Sequence, residues 1–225
     1  MSRASAEINL SAIADNLKFI KSKTNAQVLA VVKADAYGHG LLPVARAAQD
    51  AGADWLGTAL LEEAITLRNG GITKPIIAWL TPVGEDFKAA INLDIDLSIS
   101  STELLNEIVL AGKSVKKIPR VHIEVDTGMS RGGVGDDWQI FLDHLIKASK
   151  SNEINVVGIW SHFARADEPD EKMNNEQLAI FEDRIKSLAA AGISPEFIHI
   201  ANSAASLTNK GAHKNIIRWG IGLYG

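Results

Sequence analysis

The sequence predicts a (β/α)8 barrel, on three observations. Short apolar, β-branched runs alternate with stretches whose apolar residues recur at helical spacing along all 225 residues. The alternation amounts to about eight strand-helix units, the number that closes such a barrel. The runs are apolar throughout, as in parallel strands covered on both faces, and no linker interrupts the pattern. Residues 1–225 therefore read as a single barrel domain.

Taken in order, residues 6–9 read as a short strand leading into a helix over 11–23. The run Val28-Leu-Ala-Val-Val is the next strand, followed by a helix over 41–51 that Gly52 stops. Strands at 54–58 and 75–79 precede helices at 61–69 and 85–92. The strand at 95–99 precedes a helix at 101–111, for which Ser100 and Glu103 supply Ser-x-x-Glu capping chemistry. Strands at 120–126 and 155–162 precede helices at 136–149 and 174–191. The strand at 196–201 leads into a short helix from Ser203, and the strand at 215–219 comes last.

Composition excludes several classes of function. With 46% hydrophobic and 22% charged residues the chain buries a sizeable core. A net charge of -4 without a basic stripe argues against nucleic acid. No run approaches the roughly 20 apolar residues of a membrane span, and residues 1–9 lack a signal-peptide core. The absence of cysteine excludes disulfides and thiolate metal sites. The expectation is a soluble cytoplasmic protein.

Active sites of such barrels form at the carboxyl ends of the strands. Lys33 stands there, at the end of an apolar strand, where an ammonium loses hydration. Desolvation without a partner lowers a lysine pKa, and a neutral amine is the form that condenses with an aldehyde cofactor. Taken alone, Lys33 equally fits a lysine that snorkels to water.

The run Ala30-Val-Val-Lys33-Ala-Asp-Ala-Tyr37-Gly-His-Gly40 resembles the pyridoxal-phosphate lysine motif of alanine racemases. The resemblance implies that Lys33 carries the cofactor covalently and is the catalytic base for one face of the substrate. It extends to His199-Ile-Ala-Asn202-Ser203-Ala-Ala and to Gly220-Ile221, which lie where barrels bind phosphate. Ser203 there supplies a hydroxyl donor, and Tyr37 a second. Alone, Ser203 would read as an ordinary helix cap. Arg218 is expected at the ring nitrogen; always protonated, it only donates, which keeps that nitrogen unprotonated and weakens the electron sink. Its segment resembles the family's Arg-Pro-Gly-Ile-x-x-Tyr-Gly, with Trp219 in place of proline.

Arg131 closes Asp126-Thr-Gly-Met-Ser-Arg131, which the resemblance places near the cofactor's phenolate oxygen and the substrate carboxylate. Many members carry a modified lysine at the position of Glu124, so a direct Glu124–Arg131 pair is expected here. His162 is expected against the cofactor ring, and His199 as a partner of Arg218. A metal site is not expected, and His39, His122, His144 and His213 read as structural. In the family the opposite substrate face is served by a tyrosine from a C-terminal β domain of the partner subunit of a homodimer. That domain is absent here, so two-base chemistry is expected to be incomplete, and the barrel face toward it to expose apolar surface. The implied function is interconversion of L-alanine and D-alanine for cell-wall peptidoglycan, with serine or another small amino acid left open as substrate. Three alternatives stand beside it: a stand-alone pyridoxal-phosphate homeostasis barrel without turnover, the barrel of a related amino-acid decarboxylase, and a non-catalytic barrel acting through protein contacts.

Overall fold

The computed structural model describes residues 4–225; residues 1–3, part of the stretch read for a signal peptide, lie outside the described residues. Eight parallel strands form one sheet in the order β7-β6-β5-β4-β3-β2-β1-β8. They are β1 Gln27–Val31, β2 Trp55–Thr58, β3 Ile76–Ala78, β4 Asp96–Ile99, β5 Arg120–Glu124, β6 Asn155–Trp160, β7 Phe197–His199 and β8 Ile216–Trp219. The sheet closes on itself between β7 and β8 through Arg218 N–H to Ala201 O at 3.0 Å and Asn215 N–H to Ile198 O at 3.4 Å.

Around the sheet run α1 Leu10–Lys21, α3 Leu41–Asp50, α4 Leu61–Asn69, α5 Phe87–Asn92, α6 Thr102–Val115, α7 Trp138–Lys150, α8 Lys172–Ala190 and the short α9 Ser203–Thr208. The turn α2, Lys33–Gly38, is of another kind and belongs to the site. Each long helix buries one stripe against the barrel, as α1 does with Ile13, Leu17 and Ile20.

Two corrections to the expected elements follow. Residues 6–9 form no strand; all eight strands pair around the barrel, and the Asn9 side chain instead caps α1 by accepting from Ser11 and Ala12 N–H. The cap of α6 is Ser101, whose Oγ accepts from Leu104 N–H at 3.1 Å, and not Ser100. One residue earlier, Ser100 belongs to the cavity wall.

Strand parity decides which side chains fill the barrel. Leu29 and Val31 of β1, Trp55, Ile77, Val157, Phe197 and Ile216 pack together as an interior cluster apart from the larger core beneath the helices. Continuing the two-residue period past Val31 aims Lys33 inward at the top. The same step carries Ile216 to Arg218 and Gly220.

Candidate active site

At the carboxyl ends of the strands lies a cavity of about 930 Å³, at the upper end of the range for small-molecule sites. Lys33, Tyr37, Glu124, Arg131 and His162 line it, as do Asn202, Ser203, Arg218, Gly220 and Ile221. Of the residues named from sequence, only His199 stands back from the wall, fully buried behind Arg218.

Lys33 is held by an unusual backbone. Ala34, Asp35, Ala36 and Tyr37 all have φ between 52° and 55°, a left-handed turn of four non-glycine residues. L-residues disfavour that conformation by about 1–2 kcal/mol each, so the turn needs external support. Glu63, at the start of α4, provides it. One carboxylate oxygen accepts from Ala34 N–H at 2.6 Å and Asp35 N–H at 3.4 Å, the other from Ala59 and Leu60 N–H at 3.0 Å each. Asp35 Oδ1 closes the exit of the turn by accepting from Leu41 N–H at 2.7 Å. Sequence reasoning missed Glu63; its only sequence signal was an acidic residue in the first turn of a helix.

The Lys33 ammonium has no ion-pair partner among the described residues and lies 5.8 Å from the centre of the Tyr37 ring. Burial first, then the Arg131 charge and last the Arg218 charge lower its pKa, with Glu63 pushing upward. The lysine is therefore pre-set toward the neutral amine.

Arg218 is 4% exposed. Its Nη2 donates to Ser161 O at 2.7 Å, His162 Nδ1 at 3.1 Å and Ile200 O at 3.2 Å. Its Nη1 donates to His199 O at 3.1 Å and reaches His199 Nδ1 at 3.4 Å. None of these acceptors takes the Nε hydrogen. Burial lowers Arg218 to about 9, which leaves it protonated at neutral pH. Because Arg218 only donates, His162 Nδ1 is an acceptor and its ring is neutral. Burial first, then the charges of Arg218, Arg131 and Lys33, depress His162 to about 3.

Ser203 Oγ accepts from Gly220 N–H at 2.9 Å and Gly222 N–H at 3.2 Å. A Cβ on residue 220 would stand 3.0 Å from Tyr37 Oη and 3.8 Å from Ser203 Oγ. The missing side chain leaves a cradle at Gly220 in the cavity wall, with the Tyr37 and Ser203 hydroxyls beside it, which suits an anionic group. Asn202 contributes differently, its side chain capping α9 through Ala205 N–H at 3.0 Å. Beneath the cradle Tyr224 donates to Val31 O at 2.9 Å and packs its ring 4.8 Å from those of both Tyr37 and His39. Tyr224 thereby steadies Tyr37. Trp219, in place of the resembled motif's proline, is buried, and its indole N–H has no partner among the described residues.

Arg131 rides on a loop that closes on itself, with Val134 N–H to Glu124 O at 2.8 Å and Asp126 N–H to Val134 O at 3.1 Å. The expected Glu124–Arg131 pair is corrected: the two face the same cavity without an ion pair between them. The physical reason is that Arg131 sits exposed at the mouth, whereas the Glu124 carboxylate is tucked beneath Gly132, where a Cβ would lie 3.2 Å from Oε1. Burial raises Glu124 to about 7, the Arg131 and Arg218 charges opposing.

The mouth carries apolar side chains. Leu60, Leu80 and Ile221 line the cavity and stand 42%, 55% and 60% exposed.

The alanine racemase N-terminal domain profile matches residues 8–225. The chain belongs to the alanine racemase family. It is 45% identical to the alanine racemase of Thermobifida fusca over 99% of its own length and 60% of that protein. To that of Salinispora tropica it is 42% identical over 100% of this chain and 61% of that one. The crystal structure of alanine racemase from D-cycloserine producing Streptomyces lavendulae superposes with a TM-score of 0.95 at 40% identity, covering 97% of this chain and 58% of that chain. The chain thus spans three fifths of the length of these racemases, and the match falls on their N-terminal barrel. No helix among the described residues is long and apolar enough to cross a membrane.

Proposed function

We propose that residues 1–225 are the pyridoxal-phosphate-binding barrel of an enzyme that interconverts L- and D-alanine. The observation that carries this is a single cavity shared by an unpaired, desolvated lysine, a buried arginine and an anion cradle. The residues fit the cofactor: Ser203, Tyr37, Gly220 and Ile221 would hold its phosphate, Arg218 its ring nitrogen, and His162 its face. Pyridoxal phosphate, when bound, supplies an aldehyde that captures an amino group and an electron sink for the charge left at the α-carbon.

The chain's own residues then divide the work. Lys33 Nζ, lowered toward the neutral amine, takes or returns a proton on the substrate face nearest the first strand. Arg218 has its Nη hydrogens engaged and Nε–H left over, so it donates to a ring nitrogen and gives that nitrogen no proton. The sink stays weak, and prompt return of the proton is favoured over side reactions. Arg131, exposed at the mouth, would meet a substrate carboxylate, and the half-buried Glu124 moderates the positive charge it shares with Lys33 and Arg218. We read the enzyme as a homodimer acting in the cytoplasm, with the second proton-transferring group and part of the substrate pocket supplied outside this barrel. The alternative of a homeostasis barrel without turnover is disfavoured, because the proteins reported above as similar across nearly the whole chain are alanine racemases.

Incubation with pyridoxal phosphate should produce a visible absorbance band that borohydride erases and fixes to the peptide containing Lys33. The Lys33→Ala variant should show neither. A band that persists in K33A at wild-type intensity would overturn the assignment.

A further inference from the structure

Behind Arg218 a chain of hydrogen bonds runs down the barrel interior to its floor. Arg218 Nη1 faces His199 Nδ1 at 3.4 Å, and His199 Nε2 faces His122 Nδ1 at 3.0 Å. His122 Nε2 faces Asp96 Oδ2 at 3.1 Å, and Arg120 grips Asp96 with Nε at 2.7 Å and Nη2 at 3.0 Å. Asp96, His122 and His199 are 2%, 1% and 0% exposed, whereas the Arg120 side chain is 41% exposed at the floor. Room for the His122 ring exists because β6 carries Gly158 opposite it, where any side chain would overlap the ring.

The floor end of this chain sets its protons. The Asp96 carboxylate only accepts, so the hydrogen of a neutral His122 sits on Nε2 and His122 Nδ1 must accept. That acceptor takes the Nε2 hydrogen of His199, which leaves His199 Nδ1 an acceptor facing Arg218. The Arg218 end agrees with this order without dictating it, because Nη1 lies 3.4 Å from Nδ1 and also donates to His199 O at 3.1 Å. Burial alone would raise Asp96; the hydrogen bonds and charges of His122 and Arg120 outweigh it and leave it below the ordinary carboxylate range. Burial first, and then the charges of His122 and Arg218, hold His199 well below its usual value, consistent with a neutral ring.

We infer that Asp96, a barrel's depth from the cavity, is a positioning residue: it orders the protons on His122 and His199 so that Arg218 meets an acceptor behind it and presents its remaining hydrogen to the cavity. Between Arg218 and Asp96 every N–H points toward the floor, and Arg120 donates to the same carboxylate from below. The proton order stands on the geometry alone. Its consequence for a bound ring nitrogen rests on the cofactor reading above.

The test is nitrogen-detected NMR of histidine-labelled chain without cofactor. His122 and His199 should both carry hydrogen on Nε2, with a scalar coupling across the hydrogen bond from His199 Nε2 to His122 Nδ1. Asp96→Asn retains an oxygen for His122 and should keep both tautomers. Asp96→Leu removes it and should shift hydrogen from Nε2 to Nδ1 of His122. If D96L does not fold, D96S, too short to reach the ring, takes its place. In the same variant pyridoxal phosphate affinity should fall about tenfold, while D96N stays near wild type. An Nδ1 hydrogen on either ring of the wild type, or wild-type tautomers in D96L or D96S, would overturn the proton order. Shifted protons with unchanged affinity would overturn the role toward Arg218. A wild-type chain that takes up no pyridoxal phosphate would instead sink the cofactor reading and leave the proton order to be judged by the spectra.

Discussion

Glu124 and His162 face one cavity, and burial pushes their protons in opposite directions. Burial raises Glu124 from 4.5 to about 7. Below about pH 4.5 the carboxyl is protonated in both folded and unfolded chains and contributes nothing to the pH dependence of stability. Between there and about 7 the unfolded chain releases the proton while the folded chain keeps it, so stability falls as pH rises; above 7 the cost is complete. Glu124→Gln removes the titration. Relative to E124Q, the wild type should lose on the order of 2 kcal/mol across that window, a figure reduced for water in the open cavity. Urea unfolding at a series of pH values measures it, and parallel curves for the two proteins would contradict it. His162, depressed to about 3, should stay neutral throughout, its imidazole shifts flat from about pH 5 to about pH 8. A midpoint inside that range would show that Arg218 does not hold its Nδ1. The sequence brought out Lys33, Arg131, Ser203 and Arg218 in the cavity wall because each sits in a distinctive motif. It passed over Asp96 and His122 because a histidine and an aspartate on apolar strands read as structural one at a time. Only their common inward parity with Arg218, visible once the strands are aligned, shows that they form one chain.

At the scale of elements, the left-handed turn after β1 is where local preference and tertiary structure disagree most. Four successive residues with side chains sit in a region that L-residues avoid, and the compensation comes largely from Glu63, a full strand-helix unit later. Four backbone N–H groups converge on that carboxylate. Glu63→Ala should therefore cost about 2–4 kcal/mol of unfolding free energy, more than an ordinary half-buried helix residue, because it orphans the donors of two loops at once. A loss below about 0.5 kcal/mol would mean that the turn holds without the clamp. The strand-helix alternation was legible because parallel strands and their helices announce themselves by apolar runs and helical spacing. The turn was not, since Ala-Asp-Ala-Tyr carries no local signal for positive φ and the clamp is distant in sequence. The expected strand over 6–9 failed for a related reason: periodicity proposes a strand, but only a free sheet edge can accept it.

For the whole molecule, the question is which side of a bound substrate this barrel can serve. Among the described residues Lys33 is the only lysine in the cavity wall, and it rises from the first strand. The mouth is bounded by Leu60, Leu80 and Ile221, all of them exposed and apolar, which cannot carry a proton. The carboxylates at the rim, Glu85 and Asp167, are exposed. Under the function proposed above, such a barrel serves one substrate face through Lys33 and leaves the other to a group outside it. With pyridoxal phosphate in deuterium oxide, the 225-residue chain should exchange the α-hydrogen of one alanine enantiomer about tenfold or more faster than that of the other. Racemisation should lag behind that exchange. Supplying the C-terminal segment of a full-length racemase in trans should raise racemisation and even out the two exchange rates, and cover the apolar mouth as it does so. Equal exchange of both enantiomers by the isolated chain would place the second proton-transferring group inside the barrel, and Tyr37, 5.8 Å from Lys33 by its ring centre and half-buried in the same wall, would be the residue to replace next.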